Sequence, residues 1–203
     1  STSKNHRQHS SLLVTHEDQR IMIDCGLDWK GKVEAINPDV IFITHAHPDH
    51  AFGLQDGAPC PVYASRKTWQ RLEDYPLEVF NLVQPRQAVN VGSVTSEAFP
   101  MAHSTVAPAV GYKVQAGETC VFYVPDVVWI KDREKALEGV DVYIGDGAAV
   151  DQNKVRKLED SLVAHTPIRT QLTWCQKEGV EMAFFTHCGS RIVTSDIKKI
   201  EPL

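Results

Sequence analysis

Apolar residues fall along this chain in short runs broken by Pro, Asp or Gly. In DVIFIT the β-favouring residues Val40, Ile41, Phe42 and Ile43 follow one another without a polar break. That pattern predicts a strand covered on both faces, and the Pro48 and Gly53 that follow predict a loop at its C-terminal end. SLLVTHEDQRIMIDCG predicts a hairpin of two strands around Glu17 and Asp18, ending in Asp24 and Gly26. KVEAI predicts a short helix before Pro38; PVYA predicts a strand, followed by a helix from Ser65, whose hydroxyl caps it, to Glu73. SVTSEAF reads as another strand, and AVGYKVQ with TCVFYVPD as a hairpin turning at Ala116 and Gly117. DREKALEG is a short helix stopped by Gly139, and VDVYIGDG a strand. The clearest helix is TPIRTQLTWCQKEG, with Thr166 as its cap, Pro167 in its first turn and Gly179 at its end. VEMAFFTHCG closes the pattern as a buried strand.

A hairpin-rich start followed by alternating strands and helices implies sheets with helices packed outside, a layered αββα arrangement of the α/β class. No linker, compositional break or internal repeat divides residues 1–203, which read as a single domain. No apolar run approaches the roughly 20 residues of a membrane-spanning helix, and the opening STSKNHRQHSS lacks an apolar leader core, so the expected location is cytoplasmic. The five cysteines are widely spaced without a C-x-x-C pair, which argues for reduced thiols rather than a disulfide framework. A formal net charge of −5 gives no footprint for tight nucleic-acid binding. The small basic run Lys154, Arg156 and Lys157 reads as a solvated helix face. The four tryptophans lie on separate elements and read as core or rim.

Polar residues punctuate these strands in a telling way. His45, His47, Asp49 and His50 follow Ile43, His103 follows SEAFPMA, Asp126 ends CVFYVP, His187 ends MAFFT, and Asp24 ends RIMI. These are metal-ligand types, and packing gives no reason to cluster imidazoles behind a strand, so the pattern points to a shared metal site. Of the nine histidines, His6, His9 and His16 lie in the polar N-terminal region and are expected at the surface. Two further residues are candidates for catalysis, Asp146 in YIGDGA and His165 in VAHTPIRT. A carboxylate hydrogen-bonded to an imidazole favours the charged ring, which would make His165 a general acid for an alkoxide leaving group.

THAHPDH resembles the signature of the metallo-β-lactamase superfamily, whose fold is two packed sheets flanked by helices, and the later motifs follow in order over nearly the whole chain. The resemblance implies one ion held by His45, His47 and His103, a second by Asp49, His50 and His187, and Asp126 as the bridge. It also implies that Asp24 supports the ligands by hydrogen bonding. Two divalent ions, zinc first with manganese or iron as alternatives, would lower the pKa of a shared water and polarise the substrate, with Asp49 orienting the hydroxide for attack. THCGSRI and the pair Asp146 and His165 are similar to the branch holding tRNA 3′-processing endonucleases and cyclic-phosphate phosphodiesterases. The expected function is therefore hydrolysis of a phosphodiester in a small or nucleotide-like substrate. The alternatives are a lactone, thioester or β-lactam hydrolase on the same metals, and a non-catalytic metal-binding domain. The long basic arm of the tRNA-processing members and the extra cysteine motifs of some phosphodiesterases are absent from the sequence. The family's first strand with its Gly-rich turn and its C-terminal helix and strand are expected to be missing from the two ends.

Overall fold

The computed structural model describes residues 7–102, 108–151 and 165–193, and the backbone alone of 156–158, 161–163 and 194. Strands β1 (Leu12–His16), β2 (Gln19–Ile23), β3 (Val40–Ile43), β4 (Val62–Ala64) and β5 (Phe80–Leu82) form the first sheet in sequential order. The β1–β2 hairpin is antiparallel and the other pairings are parallel, so the sheet is mixed. The second sheet contains β6 (Ala88–Val91), β7 (Val94–Ala102), β8 (Ala109–Ala116), β9 (Thr119–Tyr123), β10 (Trp129–Ile130) and β11 (Val142–Asp146). After a small ribbon of β12 (Arg156–Leu158) and β13 (Ser161–Val163), β14 (Met182–Thr186) completes it. Its order is β10-β7-β8-β9-β11-β14 with β6 also on β7, antiparallel up to β9 and parallel from β9 through β11 to β14. Helices α1 (Val33–Ile36), α2 (Pro48–Ala51), α3 (Arg66–Trp69), α4 (Arg133–Leu137), α5 (Ile168–Glu178) and α6 (Ser190–Thr194) lie between and after the strands.

The period-2 alternation of β2 and β3 explains the layering. Ile21, Ile23, Val40 and Phe42 point one way, to Val94, Ala98, Val110, Tyr112, Val114 and Tyr123 of the second sheet. Met22, Ile41 and Ile43 point the other way, to Val33, Ala51, Leu54 and Leu72 around the first three helices. The outer face of the second sheet, including Phe99, Phe122 and Tyr143, is covered by Ala136 and Leu137 of α4 and Trp174 and Cys175 of α5. Three cores thus separate four layers, helix, sheet, sheet and helix. Phe42 illustrates the packing, its ring 4.8 Å from that of Tyr63 and 5.2 Å from that of Tyr112. Burying such a ring is worth about 1.5–3 kcal/mol.

Several local expectations are corrected. β14 is not buried on both faces: it pairs with β11 at the end of the sheet, and Met182 and Phe184 are 50% and 56% exposed while Ala183 and Phe185 pack inward. The helix after Ser65 stops at Trp69 and continues as turns, although the Ser65 hydroxyl does accept the Thr68 N–H at 3.2 Å. α5 begins after Pro167 without a side-chain cap, and the Thr166 hydroxyl donates instead to the Val128 carbonyl at 2.6 Å. Gly179 does end α5, in the left-handed conformation with φ 74°. Arg156 and Lys157 lie in a two-stranded ribbon rather than on a helix, and Lys154 lies outside the described residues. His9 is half-buried rather than free at the surface: its Nδ1 accepts the Asp28 N–H at 3.2 Å, and its carbonyl accepts Trp29 Nε1–H at 2.9 Å. Cys188 is half-buried, its thiol donating to the Phe185 carbonyl at 3.6 Å. Among the described residues, no helix is long and apolar enough to cross a membrane.

Candidate metal centre

The strand ends β2, β3, β11 and β14 and the loop after β9 converge at one edge of the sandwich. Pro48 in the first turn of α2 turns the chain sharply after His47, so that Asp49 and His50 face the gap between the sheets. The turn is tied down backbone to backbone. Cys25 N–H donates to the His50 carbonyl at 2.7 Å, and Gly53 N–H to the Cys25 carbonyl at 2.8 Å. Gly26 permits this approach, because a Cβ there would sit 2.1 Å from the Asp49 carbonyl oxygen. Asp24 and His187, each just after a strand, adopt φ of 66° and 53°, uncommon for residues other than glycine and a way to re-aim a side chain at a strand end.

The imidazoles and carboxylates meet closely. His45 Nε2 lies 2.9 Å from His47 Nδ1 and 3.4 Å from Asp126 Oδ2. His50 Nε2 lies 3.5 Å from the same Asp126 oxygen and 3.8 Å from Asp49 Oδ2. His187 bridges the carboxylates, with Nε2 3.0 Å from Asp49 Oδ2 and Nδ1 2.9 Å from Asp126 Oδ1. Among the described residues, three groups of side chains could each hold an ion: His45, His50 and Asp126; Asp49, His50 and His187; and Asp126 and His187 with Asp146 and His165. His103 lies outside the described residues, one position beyond the end of β7.

Asp24 lies beneath the cluster, fully buried. Its carboxylate accepts the Thr44 N–H at 2.8 Å, the Thr44 hydroxyl at 2.9 Å and His50 Nδ1–H at 2.8 Å. Because the Thr44 hydroxyl gives its proton to Asp24, it can accept from His45 Nδ1–H, 3.1 Å away. One carboxylate therefore orients two rings and leaves both Nε2 lone pairs facing Asp126. His50 Nε2 is buried and makes no hydrogen bond within the protein. Its separations from the carboxylate oxygens exceed hydrogen-bond length and suit two ligands of one ion, which at ~2 Å from each in tetrahedral geometry stand about 3.3 Å apart. The donor set and this nitrogen together fit a divalent ion.

Electrostatics point the same way. Burial would lower the pKa of His50, but the Asp126 and Asp24 carboxylates outweigh it and carry the ring up to about 10. Burial opposes the charge on His187 too, yet Asp126 raises it well above the usual histidine value. Burial would raise Asp126, and the charges of His187 and His50 instead hold it well below the carboxylate range. Asp49, likewise resisted by burial, is held down by its bond to His187 and the charge of His50. Without an ion these carboxylates favour a proton on His50 and His187; with the rings neutral, a divalent ion would supply that positive charge instead.

Beside this cluster stand the other two candidates. His165 Nδ1 lies 2.7 Å from Asp146 Oδ2, and its ring centroid is 5.3 Å from that of His187. Asp146 is fully buried, and its oxygens also accept the N–H groups of Val127 at 3.1 Å and Ala148 at 2.9 Å. All the sequence candidates that lie within the described residues are thus brought together at one edge. Sequence reasoning missed Thr44, Ser10 and Gln171. The Ser10 hydroxyl accepts the His187 N–H at 2.8 Å, and the buried Gln171 amide bonds Asp146 on both sides of its Cα. A lone serine in a polar leader and a glutamine on a helix carry no distinguishing signal in one sequence.

The chain is similar to known proteins in sequence and in fold. The chain is 26% identical over 149 residues to the exodeoxyribonuclease YycJ of Bacillus anthracis, a match covering 66% of this chain and 56% of that protein. It is 26% identical over 183 residues to the ribonuclease Z of Methanopyrus kandleri, covering 74% of this chain and 65% of the relative. The chain thus spans little more than half the length of the first of these relatives. The crystal structure of the metallo-β-lactamase fold protein YhfI from Bacillus subtilis superposes with a TM-score of 0.74 at 16% identity, covering 98% of this chain and 85% of that one. At that identity the likeness speaks for the fold, two mixed sheets between helices. The model of the beta-lactamase superfamily domain matches residues 19–188, and the chain belongs to that superfamily.

Proposed function

We propose that the protein is a dinuclear metal-dependent phosphodiesterase acting on a small or nucleotide-like substrate. Asp126 carries the dinuclear reading: it stands between His45 and His50 on one oxygen and against His187 on the other. In this assignment His45, His47 and His103 would hold one ion, Asp49, His50 and His187 the other, and Asp126 would contribute to both. Zinc suits the mixed imidazole and carboxylate set best, with manganese or iron as alternatives. Bound ions supply a water of lowered pKa and positive charge for a phosphoryl oxygen.

The chain's own residues do the rest. Asp49 and Asp126 offset part of the ionic charge and present acceptor oxygens toward the attacking water. Asp24, bonded to His50 and through Thr44 to His45, would keep the Nε2 lone pairs of both rings available to the ions. The Asp146 carboxylate takes the Nδ1 proton of His165 into a hydrogen bond, so that the opposite nitrogen, Nε2, is the one to protonate the leaving oxygen. The His165 side chain is 23% exposed, which suits a group that meets substrate.

The observation that favours a phosphodiester over a carboxyl ester is this Asp146–His165 pair beside the metal ligands, together with relatives whose names are those of nucleases. The net charge of −5 favours a short or small substrate over a long polyanion. His165→Ala tests the reading: turnover of diesters with poor alkyl leaving groups should fall by about 10²–10⁴-fold, far more than turnover of activated aryl diesters. An equal loss on both would count against the acid role, whereas hydrolysis of lactones or thioesters with no phosphodiester turnover would favour the carboxyl-ester alternative.

A further inference from the structure

α5 presents an inward face of Ile168, Gln171, Trp174 and Cys175, all buried. Packing against the sheet explains the apolar members and leaves the glutamine unexplained, since burying an amide is costly unless its bonds are made. Gln171 makes all four. Its Oε1 accepts the Tyr143 hydroxyl at 2.9 Å and the Asp146 N–H at 3.0 Å. Its Nε2 donates to the Asp146 carbonyl at 2.8 Å and the Thr166 carbonyl at 2.9 Å. These partners fix the orientation of the amide, because the reverse would set its NH₂ against the Asp146 N–H.

The position of these bonds matters more than their number. Asp146 ends β11 and His165 precedes α5, so the pair is assembled from two segments that ordinary sheet pairing does not join. Gln171 fastens the backbone of Asp146 on both sides and the carbonyl of the residue after His165. Val127 helps, accepting the Thr166 N–H at 2.8 Å and donating its own N–H to Asp146 Oδ2 at 3.1 Å. Gly145 leaves room for the amide, since a Cβ there would lie 2.4 Å from Gln171 Oε1 and 2.3 Å from Tyr143 Cε1.

We propose that Gln171 is a positioning residue that sets the separation and orientation of Asp146 and His165, and so governs proton delivery to the leaving group without touching substrate. The inference rests on the reading of His165 as general acid. Displacing a catalytic group by an ångström can cost about 100-fold in rate.

Gln171→Met keeps the bulk of the side chain and removes all four bonds. With metal content equal to wild type, it should lower turnover of alkyl-leaving-group phosphodiesters by about 10–100-fold, with a far smaller loss on an activated aryl phosphodiester. Rate should therefore depend more steeply on the leaving group's pKa. Gln171→Glu carries the same test should the methionine variant not fold, because even a protonated carboxyl has one donor for the Asp146 and Thr166 carbonyls where the amide has two. Tyr143→Phe removes one bond to the amide but spares the clamp, and should lower the melting temperature without changing leaving-group dependence. Equal losses on both substrate classes, or none, would overturn the proposal. His165→Ala measured in parallel separates the failures. If it responds to the leaving group and the Gln171 variants do not, only the role of Gln171 falls; if it does not respond, the acid reading and this inference fall together.

Discussion

Replacing Asp24 by asparagine removes one charge and almost no volume, yet it reaches two metal-facing rings. An asparagine oxygen can still accept the Thr44 N–H and hydroxyl, which the carboxylate takes at 2.8 and 2.9 Å. The NH₂ is then turned to His50 Nδ1, where the carboxylate accepted a proton at 2.8 Å. If the ring keeps that proton, two donors face each other and a charge-assisted bond worth about 1.5–3 kcal/mol is lost. If the ring moves the proton to Nε2, the nitrogen 3.5 Å from Asp126 loses the lone pair an ion needs. Either way affinity for zinc or manganese should fall by about 10–100-fold, or about 1.4–2.8 kcal/mol. Metal-free protein should lose less, because burial already disfavours the Asp24 charge and pushes its carboxyl up against the pull of His50 and Thr44. Chelator competition measures affinity, and thermal melting with and without chelator separates binding from folding. Wild-type affinity in a folded Asp24→Asn protein would refute the claim that this carboxylate sets the ring tautomers.

Other perturbations test neighbouring links. Gly26→Ala should cost about 1–3 kcal/mol of stability and lower metal content, since its methyl meets the Asp49 carbonyl; a fully loaded protein of unchanged melting temperature would contradict that packing. Metal uptake should release protons, because the Asp126 and Asp24 carboxylates push the His50 pKa up to about 10 and ion and proton compete for the ring. Affinity should therefore weaken as pH falls from about 9 to 6, and the heat of uptake should vary with the ionisation enthalpy of the buffer; a buffer-independent heat would contradict it. Ser10→Ala leaves the His187 N–H without its partner at 2.8 Å, so melting should show a loss of about 1–3 kcal/mol.

How much of this was legible in the sequence depended on whether a residue's partners lie on its own element. The unbroken apolar run of β3 announced a strand buried on both faces, and it joins the inter-sheet core through Phe42 and the outer core through Ile41. The same reasoning misled for β14, whose composition is equally apolar but which ends its sheet, because sheet order is not written in local pattern. The clustered histidines were legible because imidazoles at that spacing after a strand have few other uses. Thr44, Ser10 and Gln171 were not: each acts through a partner 20 or more residues away, Asp24, His187 and Asp146 respectively. Thr166 misled because its hydroxyl could accept from the start of the helix or donate to a carbonyl elsewhere, and it donates to the Val128 carbonyl in the loop before β10.

The most direct test of the account is hydrolysis of an activated aryl phosphodiester by protein loaded with zinc or manganese, with ion content measured alongside and Asp126→Ala as the blank. The account predicts two ions per chain and metal-dependent phenol release that disappears in the variant. Two bound ions without release, on a protein that cleaves lactones or thioesters, would contradict the phosphodiesterase reading; release undiminished in Asp126→Ala would contradict the bridging role at its centre.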